Sequence, residues 1–250
     1  MTDERLAPWV GALSDRGQVR ATNEDAFCVR TDAGLFAVAD GMGGHQAGEV
    51  AAAMAIACVR AARIDAHDPE SSLVATFQEA NRKILEASRS RPDLLGMGTT
   101  LTVAHVGPQE LTIAHVGDSR AYLVREGRIW QVTQDHSVAG ELVSKGQIDR
   151  EQARRHPQRH VLTQALGTRE SLGVQVVHYP REAADFLLLC TDGLTEVVDD
   201  EEMARLVSSG GSVEAAVRAM VELANRRGAP DNVTVLLIDL RAVPAELQPC

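Results

Sequence analysis

Short apolar runs that meet an aspartate recur along this 250-residue chain, and no other feature restricts its fold as much. The run "LFAVAD" closes on Asp40, "LTIAHVGD" on Asp118 and "FLLLCTD" on Asp192, while Asp231 stands just ahead of "NVTVLLI". Bounded by Gly, Pro and Asp, such runs read as strands, with a turn set directly after the acid. A single aspartate at a strand end ordinarily serves a turn. Four of them on neighbouring strands would converge on one rim, where carboxylates repel unless a cation or a proton joins them. An all-oxygen ligand set, with no Cys or His cluster beside it, selects hard ions, Mg²⁺ or Mn²⁺, over zinc.

The remaining pattern mixes strands with helices. "DAFCVRTDAGLFAVAD" reads as two strands joined at Asp32-Ala33-Gly34, with a helix following over "GEVAAAMAIACVRAARI". Asp68 followed by Pro69 starts a second helix, which carries Leu73, Phe77, Ile84 and Leu85 at helical spacing. "LTVAHVG" (101–107) and "LTIAHVG" (111–117) form a hairpin about "GPQE" rather than a solenoid. His105 and His115 hold equivalent places on its two strands and read as structural, not as a metal pair. A second hairpin turns at Glu126-Gly127. Residues 137–166 break the pattern: polar, basic in the centre and with two short helices, they read as an excursion over a surface. After "DFLLLCTDG" come two helices, the second capped by Ser212 and stopped by Gly228, and then a final strand. Strands at both ends with helices between indicate one α+β domain over 1–250, with its core in about 8–241.

The glycines after Asp40 raise the alternative of a phosphate-binding loop. Gly43 and Gly48 have the Walker spacing, but Glu49 and Val50 follow; the dinucleotide fingerprint begun at Gly41 and Gly43 ends on Gln46. An aspartate beside glycines instead offers a carboxylate and an unhindered backbone carbonyl to a metal. Cysteine phosphatase chemistry, C-x5-R, is excluded, because Gly34, Ile64 and Glu196 stand where its arginine would follow Cys28, Cys58 and Cys190. Those three read as reduced core thiols and Cys250 as an exposed one. A net charge of −10 disfavours binding to nucleic acid or to an anionic membrane. No run is long and apolar enough for a membrane helix, and the acidic N-terminus lacks a signal-peptide pattern, so a cytoplasmic location is expected. Near the start, "SDRGQVRATNEDAF" is a polar loop holding Glu24, Asp25 and Arg20, the last with a fork suited to phosphate oxygens.

In order along the chain, "SDRGQVRATNEDAF", "VADGMGGHQAGE", "GMGTTLT", "HVGDSRAYL", "TQDHS", "LLLCTDGLTE" and "DNVTVLL" resemble the motifs of type-2C metal-dependent Ser/Thr protein phosphatases, above all the compact bacterial members. The resemblance runs from about Ser14 to Leu240. It implies a four-layer αββα sandwich, two antiparallel sheets face to face with helices on both outer faces, and a dinuclear Mn²⁺/Mg²⁺ centre at one end. It further implies that Asp40 bridges both ions, that the Gly41 carbonyl binds one of them and that Asp192 and Asp231 bind the other. Asp118, with Asp192, would serve a weaker third site; Glu24 and Asp25 would hold metal-bound waters, and Arg20 the substrate phosphate. Residues 137–166 would be a flap beside the active site. Some members carry His where this chain has Met42, which cannot deliver a proton. The acid that protonates the leaving alcohol is therefore unassigned, with His45 and His160 as candidates that read first as surface or flap residues.

A phosphate dianion would approach an acidic protein, but two divalent ions and Arg20 would reverse the local field. The expected reaction is in-line attack on phosphorus by a water or hydroxide bridging the ions, with no covalent phosphoenzyme. The expected partners are phosphorylated proteins, Ser/Thr kinases among them, met by a monomer. A pseudophosphatase serving only as a binding module would have lost a metal aspartate, and Asp40, Asp192 and Asp231 are all present. A Mn²⁺ phosphodiesterase of another fold would add histidine ligands, and none is suitably spaced.

Overall fold

A computed structural model describes residues 6–43 and 47–244. Two antiparallel sheets form its centre. The first runs β1 (Val10–Asp15), β11 (Val233–Asp239), β10 (Phe186–Cys190), β7 (Arg120–Arg125), β8 (Arg128–Gln131). The second runs β2 (Asp25–Arg30), β3 (Leu35–Met42), β5 (Leu101–Val106), β6 (Glu110–Val116), β9 (Gln175–Pro180), with the short β4 (Gly98–Thr99) beside the end of β3.

Side-chain alternation along the strands sets the layers. Leu187, Leu189, Leu236 and Ile238 of the first sheet meet Phe36, Val38, Ala104 and Ile113 of the second in the interior. Their neighbours Leu188, Cys190, Val235 and Leu237 turn outward under α6 (Asp200–Val207) and α7 (Val213–Arg226). On the other face Leu35, Ala37, Ala39 and Val103 lie under α1 (Ala47–Ala61) and α2 (Pro69–Ser90). The expected αββα sandwich is what forms, and central strands covered on both faces appear in sequence as unbroken apolar runs. Local signals hold where the chemistry is local. Asp68 accepts from the Ser71 N–H and Ser212 from the Ala215 N–H, each capping its helix. Glu126 and Gly127, at φ 51° and 75°, make the tight turn between β7 and β8. The excursion holds α3 (Val138–Ser144) and α4 (Arg150–Arg154), and a single turn, α5 (Asp192–Thr195), follows β10.

The structure corrects one expectation and adds to two others. Asp40 does not precede a turn: β3 continues for two residues because Gly41 and Met42 pair with Thr99 and Gly98. His105 and His115 are not neighbours, since they face Thr112 and Thr102 respectively across the hairpin. Finally, β1 and β9 add an edge strand to each sheet, β1 buried only at Val10 and Gly11 and β9 partly or fully exposed along its length.

Candidate metal centre

Antiparallel pairing places the end of one strand beside the start of the next, and that gathers the acids at one end of the sandwich. Asp40 on β3 is directly opposite Asp25 on β2. Asp192 begins α5 just past β10, and Asp231 lies two residues ahead of β11, the strand paired with β10. Asp118 follows β6 by two residues. Two glycines permit the crowding: a Cβ on Gly193 would run into the Asn232 carbonyl, and one on Gly41 into the carbonyl of Gly48.

A chain of hydroxyls fixes Asp25. Asn23 Nδ2 donates to Ser14 Oγ (2.8 Å), which lies 2.7 Å from Thr234 Oγ1. The Thr234 and Thr191 hydroxyls then both donate to Asp25 Oδ2, at 2.7 and 2.8 Å. The buried Asn232 side chain staples the N-terminal loop, donating to the carbonyls of Arg16 and Thr22 (both 2.9 Å) and accepting from the Glu24 N–H (2.8 Å). That staple brings Glu24 to the rim and sets Arg20 on Asp231, Nη2 to Oδ2 at 2.5 Å.

Burial pushes the Asp40 carboxyl well above the usual carboxylate range, and the charges of Asp25, Asp192, Asp118 and Asp231 add to it. Asp118 is raised well above its ordinary value too, by burial and then by Asp192 and Asp135. Asp192 is raised by burial and by Asp231, against a hydrogen bond with Asp40. Asp25 is pushed up to about 7 by burial, with Asp192 and Asp231 reinforcing it against the Thr234 and Thr191 hydroxyls. Among the described residues, the buried Oδ1 atoms of Asp25 and Asp192 have no hydrogen-bond partner. Orphaned carboxylate oxygens in a cluster that resists ionisation fit an oxygen-liganded divalent cation, which would supply the missing countercharge.

Beside Asp118 and Asp192 opens a cleft of about 690 Å³, walled by the 137–166 excursion on one side and the segment from Thr195 to Asp200 on the other. His160 Nδ1 lies 2.8 Å from Glu196 Oε1, and ligand atoms of His160, Glu196 and Asp192 fall within 4.8 Å of one another. His160, in the 137–166 excursion, thus reaches the rim, whereas His45 and Cys250 lie outside the described residues. Glu196, pushed up to about 7 by burial and then by Asp192, was not legible in the sequence. Neither were Thr191, Thr234 and Asn232; the signal available was a polar side chain inside or just ahead of an otherwise apolar run. Cys28, Cys58 and Cys190 are buried free thiols, as expected.

The family model described as "Protein phosphatase 2C" matches residues 16–236. The serine/threonine phosphatase stp of Listeria monocytogenes serotype 4b (strain F2365) is 39% identical over 235 residues, covering 90% of this chain and 93% of that one. The serine/threonine protein phosphatase PstP of Mycobacterium tuberculosis (strain CDC 1551 / Oshkosh) is 43% identical over 233 residues, 92% of this chain and 44% of that one. A crystal structure of the catalytic domain of PstP in complex with two manganese ions superposes with a TM-score of 0.80 at 37% identity, covering 92% of this chain and 96% of that one. With the strand-end aspartates gathered on the sandwich these relatives share, the chain belongs to the protein phosphatase 2C family.

Proposed function

We propose that this chain is a metal-dependent protein phosphatase that hydrolyses phosphoserine and phosphothreonine monoesters, a single catalytic domain over 1–250 with its core in about 8–241 and its flap in about 137–166. The observation that carries the reading is the convergence of Asp25, Asp40, Asp118 and Asp192 on one rim with carboxylate oxygens left unpartnered. In this reading Asp40, the Gly41 carbonyl, Asp192 and Asp231 hold two Mn²⁺ or Mg²⁺ ions, and Asp118 with Asp192 holds a weaker third. Bound there, divalent cations supply Lewis-acid charge and a water nucleophile at neutral pH. Arg20 binds the phosphate. Among the described residues its Nη2 donates to Asp231, which uses one of five N–H groups, so the others remain to donate to phosphate oxygens. Asp25, fixed by Thr191 and Thr234, and Glu24, fixed through Asn232, orient water at the rim. The cleft under the flap receives the peptide flanking the phosphoresidue.

The same reading has the protein act as a cytoplasmic monomer on the products of Ser/Thr kinases; among the described residues no helix is long and apolar enough to cross a membrane. The test is hydrolysis of a phosphothreonine peptide and of p-nitrophenyl phosphate by Asp40→Asn and Asp192→Asn variants. Mn²⁺-dependent turnover should be lost in both while far-UV circular dichroism is unchanged. Turnover that survives either change would overturn the site.

A further inference from the structure

The motif "TQDHS" takes no part in the chemistry above, yet its histidine stands behind one of the gathered aspartates. Gly117, the residue before Asp118, has both main-chain groups held by histidines. Its N–H donates to His136 Nδ1 (3.2 Å), and its carbonyl accepts from the His136 N–H (2.7 Å) and from His115 Nε2 (2.9 Å). These roles fix the tautomers: His136 carries its proton on Nε2, and His115 Nδ1 accepts from the Thr102 hydroxyl at 2.8 Å. Burial holds both imidazoles neutral, lowering His136 and taking His115 down to about 3. Gly117 itself has φ 114°, and a Cβ there would press on Thr100, so no side chain of its own can brace the turn. On the other side of Asp118, Ser119 Oγ lies 2.7 Å from Thr100 Oγ1, which also accepts the Asp40 N–H at 2.9 Å. His136 reaches the flap as well. Its carbonyl accepts the Thr163 N–H (2.8 Å), and Ser137 next to it bridges to Leu162, so both ends of the excursion meet at this residue.

We propose that His136 is a positioning residue: by clamping Gly117 it sets the Asp118 carboxylate for its cation and ties that carboxylate to the root of the flap. The inference rests on the reading of Asp118 as a ligand of the weaker third site. Without the clamp, the turn from Gly117 to Ser119 loses the acceptor of its first N–H. Binding a cation must then order the turn as well as the side chain, which weakens the site.

Asn and Leu at position 136 have nearly the same shape, but only Asn keeps an acceptor close to the place of Nδ1. Mn²⁺ binding to the full cation-free chain, measured by isothermal titration calorimetry, should show the weakest step weakened about 10-fold or more in His136→Leu. The tighter steps should be unchanged, and His136→Asn should bind as wild type. Hydrogen exchange at the Gly117 amide should be faster in His136→Leu and restored in His136→Asn. Asp118→Asn is the control and should remove the weakest step altogether. If it does so while His136→Leu binds as wild type, the positioning role alone is overturned. Equal weakening of every step in His136→Leu, or an Asn variant as weak as the Leu one, overturns it too. If Asp118→Asn leaves every step intact, the assignment of Asp118 falls and takes the inference with it. His136→Ala replaces the Leu variant should that one not fold.

Discussion

Replacing Asp25 by Asn should make the cation-free protein more stable at neutral pH, although the residue is buried and hydrogen-bonded. Burial raises its carboxyl from 3.8 to about 7 against the Thr234 and Thr191 hydroxyls, and nearby Asp192 and Asp231 add to the rise. A carboxyl raised in the folded state binds its proton more tightly there than in the unfolded chain. Its stability penalty is therefore absent below the unfolded value and grows as pH rises from about 4 to about 7. At pH 7 the penalty is on the order of 4 kcal/mol, and near pH 4.5 about 1 kcal/mol. Asn removes the charge yet keeps an oxygen to accept from Thr191 and Thr234. For a chain of this size the gain corresponds to a melting temperature higher by roughly 10 °C. Differential scanning calorimetry in EDTA at both pH values reads it directly. With Mn²⁺ present the order should reverse, because the carboxylate then has its countercharge. A variant that melts at or below wild type at pH 7 in EDTA would rule out a charge penalty at Asp25, as would a gain equally large at pH 4.5.

Gly193→Ala drives a Cβ into the Asn232 carbonyl and must part α5 from the start of β11; calorimetric titration should show Mn²⁺ affinity lower by about 10-fold, with about 2 kcal/mol of stability lost. Arg20→Ala, at a side chain 52% exposed, should raise KM for a phosphopeptide roughly 10-fold and leave stability within about 0.5 kcal/mol. His178 bridges Glu70 (2.9 Å) and Glu110 (3.0 Å). Burial lowers it, but the two carboxylates outweigh that and raise it. Its contribution is present below the unfolded histidine value and lost as pH rises through the folded one. Urea unfolding of His178→Ala should therefore show a deficit under about 1 kcal/mol near pH 6 that vanishes near pH 9.

What the sequence made legible were features whose chemistry is contiguous. Unbroken apolar runs named the central strands, Asp68-Pro69 and Ser212 named helix starts, and an acid at or next to the end of a run named Asp40, Asp118, Asp192 and Asp231. The edge strands β1 and β9 gave a weaker signal, because an edge covered by fewer neighbours tolerates the Gly11 and Ser14 that break one apolar stretch and the Gln175, His178 and Pro180 that break the other. The residues that hold the site in shape were hidden for another reason. Ser14 meets Thr234 across 220 positions and Thr191 meets Asp25 across 166, partnerships that only the sheet register creates. The turn after Asp40 was expected from its glycines, but the same glycines serve strand pairing with β4 and close approach to α1. His160 needed the path of the 137–166 excursion, and Glu196 the turn of α5, before either could be placed at the rim.

Whether the gathered aspartates hold the catalytic cations, as proposed, is decided by anomalous diffraction at the manganese edge from crystals grown with Mn²⁺. Two strong peaks are expected sharing the Asp40 carboxylate, one of them also on Asp192 and Asp231, with a weaker third between Asp118 and Asp192. Crystals of active protein with manganese bound away from Asp40 and Asp192 would contradict that assignment.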